Sequence, residues 1–167
     1  GTAIEKVKMT LKICTSFKST YFAYKETANA ECPSNPWRVQ NSSLFMRLDN
    51  FLDRCYDVLD LVQTIEQFYR LSKIEVGGTK GKTISEGVHQ IYAEFESVVA
   101  QFNEMDYDVM DVDAKQFDID FGHFKEKIEE LEKRIASLLT EGFEDSKDLI
   151  SRYKLLDSFY GLLERPT

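Results

Sequence analysis

Residues that match the end of a nucleotide-binding P-loop lie near the middle of the chain, at Gly81-Lys82-Thr83. The P-loop pattern G-x-x-x-x-G-K-[ST] requires a glycine at position 76, so that the loop is long enough for its N–H groups to surround the phosphates. That position is Val76, and Gly77 comes one residue too late. A P-loop also follows a buried strand, whereas the preceding residues have the apolar spacing of a helix. These features favour a glycine-rich turn between two helices over a nucleotide-binding switch at residues 77–83.

Four aspartates between Asp106 and Asp113 could supply oxygen ligands for calcium. An EF-hand loop needs oxygen ligands at its first, third and fifth positions and glutamate at its twelfth. In the register that starts at Asp106, the fifth position is Met110 and the twelfth is Phe117, and the register that starts at Asp111 fails in the same way. The pattern instead predicts a solvated acidic linker in which Asp113 caps the next helix.

Histidine and cysteine, the usual ligands of transition metals, are sparse and scattered. His89 and His123 fall on different predicted helices, and neither has a second histidine or a cysteine at ligand spacing. The cysteines, Cys14, Cys32 and Cys55, form no C-x-x-C pair, which favours a reducing, cytoplasmic compartment. The sequence therefore predicts no catalytic, cofactor-binding or metal site, and it predicts that this segment is not an enzyme.

Composition limits the possible partners of the chain. With 43% hydrophobic and 13% aromatic residues, the chain can bury a core and is not disordered. The net charge of −8 argues against nucleic acid, since phosphate binding needs a basic surface. No apolar run approaches the ~20 residues that cross a membrane. Because neither end resembles a natural terminus, we expect a piece of a longer protein.

Apolar residues recur at helical spacing in five segments, which predicts an all-α, elongated bundle of about five amphipathic helices, part of a longer helical rod. The first predicted helix has the apolar face Ile4, Val7, Leu11, Cys14, Phe17, Tyr21 and Tyr24. The second has Leu44, Leu48, Phe51, Cys55, Leu59, Val62, Ile65 and Tyr69, and its face is widened by Phe45, Leu52 and Val58. The third has Ile84, Val88, Ile91, Phe95, Val98 and Phe102. The last two faces are Phe117, Phe121, Phe124, Ile128, Leu131, Ile135 and Leu138, at a/d heptad spacing, and Leu149, Tyr153, Leu156, Phe159 and Leu163.

Helix ends are predicted from capping residues. Thr83 and Glu86 match a capping box at the start of the third helix. Gly142 is placed to end the fourth helix, and Asp145 to cap the fifth. Three further glycines inside helices, at positions 87, 122 and 161, either mark close helix approaches or are tolerated imperfections.

Three blocks, in order, resemble the N-terminal tail region of dynein heavy chains. They are Trp37 with LFMRLDNFLDR at residues 44–54, FYRLSKIEVGGTKG at 68–81 followed by IYAEF at 91–95, and GFED at 142–145 followed by KLLDSF and LLERP up to residue 166. The resemblance covers about residues 37–167, and the glycine-rich turn is more similar to axonemal outer-arm chains than to the cytoplasmic form. We therefore expect two parts: residues 1–36, a leading helix with a proline-containing break, and residues 37–167, a helical bundle.

The resemblance implies a structural role in a microtubule motor. Such tails hold heavy chains together and bind intermediate and light chains, while the ATPase ring lies far downstream. We therefore expect dynein heavy, intermediate and light chains as partners, no cofactor, nucleic acid, membrane or small-molecule substrate, and a place in the cytoskeleton of the axoneme of a cilium or flagellum. A self-contained helical adaptor stays open as an alternative; it requires a complete core, whereas a tail segment predicts uncovered apolar surface.

Three residues near the predicted turns are candidates for partner contacts: Trp37, Lys80 and Lys82. A tryptophan in a loop often anchors an interface. The favoured alternative is that Trp37 closes one end of the bundle after the break at Pro36. The lysines could face an acidic partner, or they could complement the acidic second half of the chain itself.

Overall fold

The computed structural model describes residues 2–32, 44–74, 81–146 and 149–163. In these ranges the chain forms five α-helices and no β-strand, which confirms the predicted all-α class. The helices are α1 (Thr2–Glu31), α2 (Met46–Leu71), α3 (Gly81–Asn103), α4 (Lys115–Asp145) and α5 (Leu149–Leu163). None of them, over the part of each that is described, combines the length and hydropathy needed to cross a membrane.

The chain divides into two compact units. One comprises Gly1–Val62 and Asp108–Ala114, and the other comprises Gln63–Tyr107 and Lys115–Thr167. Helix α2 contributes residues to both units. The expected division between residues 36 and 37 falls in the range 33–43, outside the described residues, and it stays a prediction.

In the first unit, α1 packs on the amino-terminal part of α2. The buried centre is formed by Leu11, Leu52 and Cys55, and Val7, Cys14, Leu48, Phe51, Leu59 and Met110 pack around it. Burial raises the pKa of the Cys55 thiol, and the neighbouring Cys14 adds to the effect. Cys55 is therefore a small buried apolar residue, as its position on the apolar face predicts.

In the second unit, α3 packs on α4 along the predicted apolar faces. The buried residues of α4 are Phe117, Phe121, Phe124, Ile128 and Leu131, those of α3 include Ile84, Val88, Ile91 and Phe95, and the two helices are in contact. Phe95 also stacks on Phe68 of α2, with ring centroids 4.5 Å apart. The a/d spacing therefore predicted the buried face of α4 correctly, because a heptad repeat sustained over several turns defines one apolar side of the helix.

The predicted helix ends need correction. Helix α4 continues through Gly142 to Asp145, so Gly142 is not a C-cap and Asp145 closes α4 instead of capping α5. A Cβ atom on Gly142 would lie 2.6 Å from Ile84 Cδ1 and 3.3 Å from Leu155 Cδ2. Gly142 therefore lies where three helices approach one another closely, and a larger residue would displace the Ile84 side chain.

Two other glycines inside helices show both predicted alternatives, a close helix approach and a tolerated imperfection. A Cβ atom on Gly87 would meet Leu138 Cδ1 at 2.9 Å, whereas one on Gly122 would have no neighbour within 4 Å. Gly87 therefore marks a close approach, and Gly122 is a tolerated imperfection. Helix α3 begins at Gly81, so Thr83 lies inside its first turn and not at the N-cap of the predicted capping box.

Parts of three predicted apolar faces are exposed. Phe17 and Tyr24 in α1, Leu44 before α2 and Tyr69 within it, and Leu149, Tyr153 and Leu156 in α5 are all exposed. In α5 the buried residues are Phe159, which belongs to the predicted face, and Leu155, which does not. Short or doubly apolar helices offer two possible buried sides, and their spacing alone does not choose between them.

Candidate interaction surface

The three predicted partner-binding residues are only partly described. Trp37 and Lys80 lie outside the described residues. Lys82 lies in the first turn of α3, and its side chain is almost fully exposed. Its Nζ atom is 3.9 Å from Glu86 Oε1 on the same helix, so the two charges partly compensate each other at the surface.

The chain that leads into the glycine-rich turn is helical. Helix α2 ends at Leu71, and two turn hydrogen bonds follow it, from Lys73 N to Arg70 O at 3.2 Å and from Ile74 N to Leu71 O at 3.1 Å. Gly81-Lys82-Thr83 already belongs to α3. The described residues on both sides of the turn are therefore helix and turn, whereas a P-loop needs a preceding strand.

The acidic linker between α3 and α4 is a structured loop. The carboxylates of Asp108 and Asp111 each accept a hydrogen bond from the backbone N–H two residues further on, at 2.9 Å in both cases. Such Asx turns stabilise a tight turn of the backbone. Asp113 does not occupy the N-cap position of α4, because the helix begins at Lys115 and the residue directly before it is Ala114. Within the described ranges, no group of acidic, histidine or cysteine side chains could hold a metal ion.

Arg54 of α2 holds this loop in place. Its side chain is 4% exposed, and Nη1 donates to the carbonyl oxygens of Val109 at 3.1 Å and Asp111 at 2.7 Å. Nη2 donates to the carbonyl oxygen of Ala114 at 3.5 Å. The role of Arg54 was not predicted, although the sequence contains one signal of it: Arg54 interrupts the apolar side of α2 at helical spacing from Phe51.

A cluster of ion pairs joins α3 to α4. Arg134 donates to both carboxylate oxygens of Glu94, at 2.5 and 2.8 Å, and Lys127 Nζ lies 3.9 Å from the same carboxylate. The hydrogen bonds from Arg134 lower the pKa of Glu94, and the charges of Arg134 and Lys127 lower it further, against the opposing effect of partial burial. This bidentate pair orients the two helices. His123 lines the adjacent groove, and among the described residues it belongs to no group of side chains that could hold a metal ion.

Helix α1 has apolar residues on two sides. Val7, Leu11 and Cys14 face α2 in the core of the first unit. Met9, Ile13, Phe17 and Tyr24 are each more than half exposed, and Phe17, at the edge of this group, also contacts the Phe45 ring, with centroids 6.4 Å apart. Because residues at spacings of four and seven share one side of a helix, these four form a second apolar face, which we call the α1 outer face. A second apolar side that remains exposed is typical of a surface that another helix or chain covers.

Comparisons with known proteins agree with the resemblance found in the sequence. The family model described as dynein heavy chain, N-terminal region 1, matches residues 1–167. The flagellar outer-arm dynein beta chain of Chlamydomonas reinhardtii is 50% identical over 163 residues. Human dynein axonemal heavy chain 17 is 32% identical over 163 residues, and the ciliary dynein beta chain of Heliocidaris crassispina is 30% identical over 168 residues.

Each of these alignments covers 98% of this chain and 4% of the relative, so the chain spans a small part of the length of the proteins it matches. The family match also includes residues 1–36, which the three sequence blocks do not cover. The chain therefore belongs to the dynein heavy chain family, in which it forms part of the N-terminal region.

Proposed function

We propose that this segment is a non-catalytic assembly part of an axonemal dynein heavy-chain tail, which supports heavy-chain association and binds intermediate or light chains. Family membership places the segment in the N-terminal region. The resemblance implies that the ATPase ring lies in a later part of the heavy chain. The single observation that carries the proposal is the α1 outer face.

The energetics of the α1 outer face support a docked state. Burying a side chain such as Ile, Phe or Met contributes roughly 1.5–3 kcal/mol each relative to leaving it exposed. Met9, Ile13 and Phe17 stand at intervals of four residues and are all largely exposed. A partner helix or a concave protein surface laid along α1 would bury all three at once, so the face favours association.

The names of the relatives support the proposed location. One is a flagellar outer-arm chain, one a ciliary chain and one an axonemal heavy chain. We assign this segment, by extension, to the cytoskeleton of a ciliary or flagellar axoneme. Lys82, with its exposed side chain, stays a proposed partner contact, as do Trp37 and Lys80.

Two other functions are less well supported. A self-contained adaptor would have a complete core, whereas α1 and α5 both expose apolar residues in rows. A nucleotide-dependent switch would need a strand before the glycine-rich turn, and the described residues there form α2 and a turn. Neither function accounts for the α1 outer face.

Light scattering on reconstituted mixtures tests the proposal. We expect the heavy-chain tail to form a stoichiometric complex with outer-arm intermediate or light chains or with a second heavy chain. Ile13→Glu, at the centre of the α1 outer face, should raise the Kd of this complex about tenfold or more, because the new carboxylate would be buried in an apolar contact. Thr15→Glu is the matched control, since Thr15 is exposed on another side of the same helix. Equal affinity of both variants would reject the α1 outer face as the contact.

A further inference from the structure

Helix α5 carries a second uncovered apolar row. Leu149 is 82% exposed, Tyr153 68% and Leu156 56%. The spacing of four and then three residues is the d-a-d spacing of a heptad, and Tyr160 and Leu163 continue it in the sequence. We call Leu149, Tyr153 and Leu156 the α5 seam. A heptad seam of this kind fits a second α-helix that lies lengthwise along it.

The α5 seam is separate from the side of α5 that is already packed. Leu155 and Phe159 are buried on that side, and Leu155 lies beside Gly142 of α4. Arg152 donates through Nε to the carbonyl oxygen of Ser146 at 2.9 Å, and its guanidinium stacks on Phe143, 4.9 Å from the ring centroid. Helix α5 is therefore fixed to α4 on one side while the seam remains open on another.

The order of helix contacts in this unit indicates what covers the seam. Helix α3 packs on α4 and α4 packs on α5, so contacts form between helices that follow one another in the chain. Consecutive secondary-structure elements are usually adjacent in space in proteins generally. The matched relatives are far longer than this segment, which covers 4% of their length. A helix on the same polypeptide is also present at high effective concentration.

We propose that the α5 seam is covered by an amphipathic helix of the same heavy chain, supplied by the sequence that follows residue 167. The proposal rests on the assignment of the segment to a heavy-chain tail. Asp157 and Arg152, at the e and g positions that flank the seam, have opposite charges. The covering helix therefore needs apolar a/d residues and no strong net charge. This contact is intramolecular, whereas the α1 outer face is assigned to other chains.

Hydroxyl-radical footprinting on the purified full-length heavy chain, freed of accessory and partner chains, tests this inference. We expect Tyr153 and Leu156 to be oxidised several-fold more slowly than in the same chain unfolded in guanidinium, while Met9 and Phe17 react readily. Cross-linking from Lys154 should join lysines that follow residue 167. Leu156→Glu should restore the oxidation of Tyr153 by opening the seam, and Lys154→Glu, off the seam, should leave it protected.

The possible results separate the two proposals. Rapid oxidation of Tyr153 in the isolated heavy chain would overturn the intramolecular contact. Protection of Tyr153 that appears only after other chains are added would show that another polypeptide covers the seam. Cross-links from Lys154 to an earlier part of the heavy chain, and to none that follows residue 167, would also overturn it. None of these results bears on the α1 outer face, whose partners are tested by the complex with other chains.

Discussion

Arg54 is the residue whose role is least visible in the sequence. Its guanidinium is buried and donates to three carbonyl oxygens of the acidic loop, those of Val109, Asp111 and Ala114. A buried guanidinium is tolerated when its donors are paired, and its removal leaves carbonyl groups without partners. Sequence shows only that an arginine interrupts an apolar row. It does not show that a loop more than fifty positions later supplies the acceptors.

Arg54→Met should lower the free energy of unfolding by about 3 kcal/mol, because methionine fills similar space but donates no hydrogen bond. Urea denaturation of the purified segment measures the change. Arg47→Met is the control, since Arg47 is exposed on the same helix and its replacement should change stability by about 0.5 kcal/mol or less. Equal effects of the two substitutions would mean that the loop does not depend on Arg54.

Glu94 gives the second prediction at residue scale, a dependence of stability on pH. Arg134, by hydrogen bonding, and Lys127, by charge, hold the pKa of Glu94 below its ordinary value of 4.5. The folded-state pKa is thus lower than the unfolded one. The stabilisation is therefore fully present above the unfolded pKa, and it is lost as the pH falls through the folded pKa.

Below about pH 4.5, the urea midpoint of the unaltered segment should fall more steeply with decreasing pH than that of Glu94→Gln, which has no charge to lose. Added salt should reduce the difference, because the pair is partly exposed. Glu126→Gln, at an exposed position of α4, serves as the control and should keep the steep dependence. Parallel curves for the unaltered segment and Glu94→Gln would contradict the assigned role.

At the scale of helices, α4 and α5 show how far apolar spacing can predict packing. The α4 row from Phe117 to Leu131 is buried as predicted, because its heptad repeat is long and only one side is apolar. Helix α5 has apolar residues on two sides, and the predicted face combines the exposed seam with Phe159, which is buried. Which side packs on α4 is decided by tertiary contacts such as that between Leu155 and Gly142.

The two glycines of α4 give a matched prediction. Gly122→Ala should stabilise the segment by up to about 1 kcal/mol, because alanine favours the helix and no atom lies within 4 Å of the new methyl group. Gly142→Ala gains the same helix propensity, but its methyl group would collide with Ile84 and crowd Leu155. It should therefore be less stable than Gly122→Ala by about 1–3 kcal/mol. Thermal unfolding of both variants measures this difference. Equal melting temperatures would show that the three helices around Gly142 can accommodate a methyl group without loss of stability.

At the scale of the molecule, the segment combines well-packed helices with uncovered apolar rows. Resemblance to dynein heavy chains was accessible from sequence blocks, and the family match confirms it. The exposure of Met9 and Ile13 could not be predicted, because spacing shows that one side of a helix is apolar but not whether another helix covers that side. A domain that functioned alone would gain stability by covering these residues within its own fold. A part of a larger assembly covers them by docking.

Side-chain footprinting of Met9 and Phe17 in assembled dynein, compared with the heavy chain freed of all other chains, tests the central claim most directly. We predict strong oxidation of both residues in the free heavy chain and marked protection in the assembly. Tyr153, if its seam is covered within the heavy chain, should be protected in both states. Equal oxidation of Met9 and Phe17 in the two states would contradict the claim that this segment uses the α1 outer face to assemble the motor.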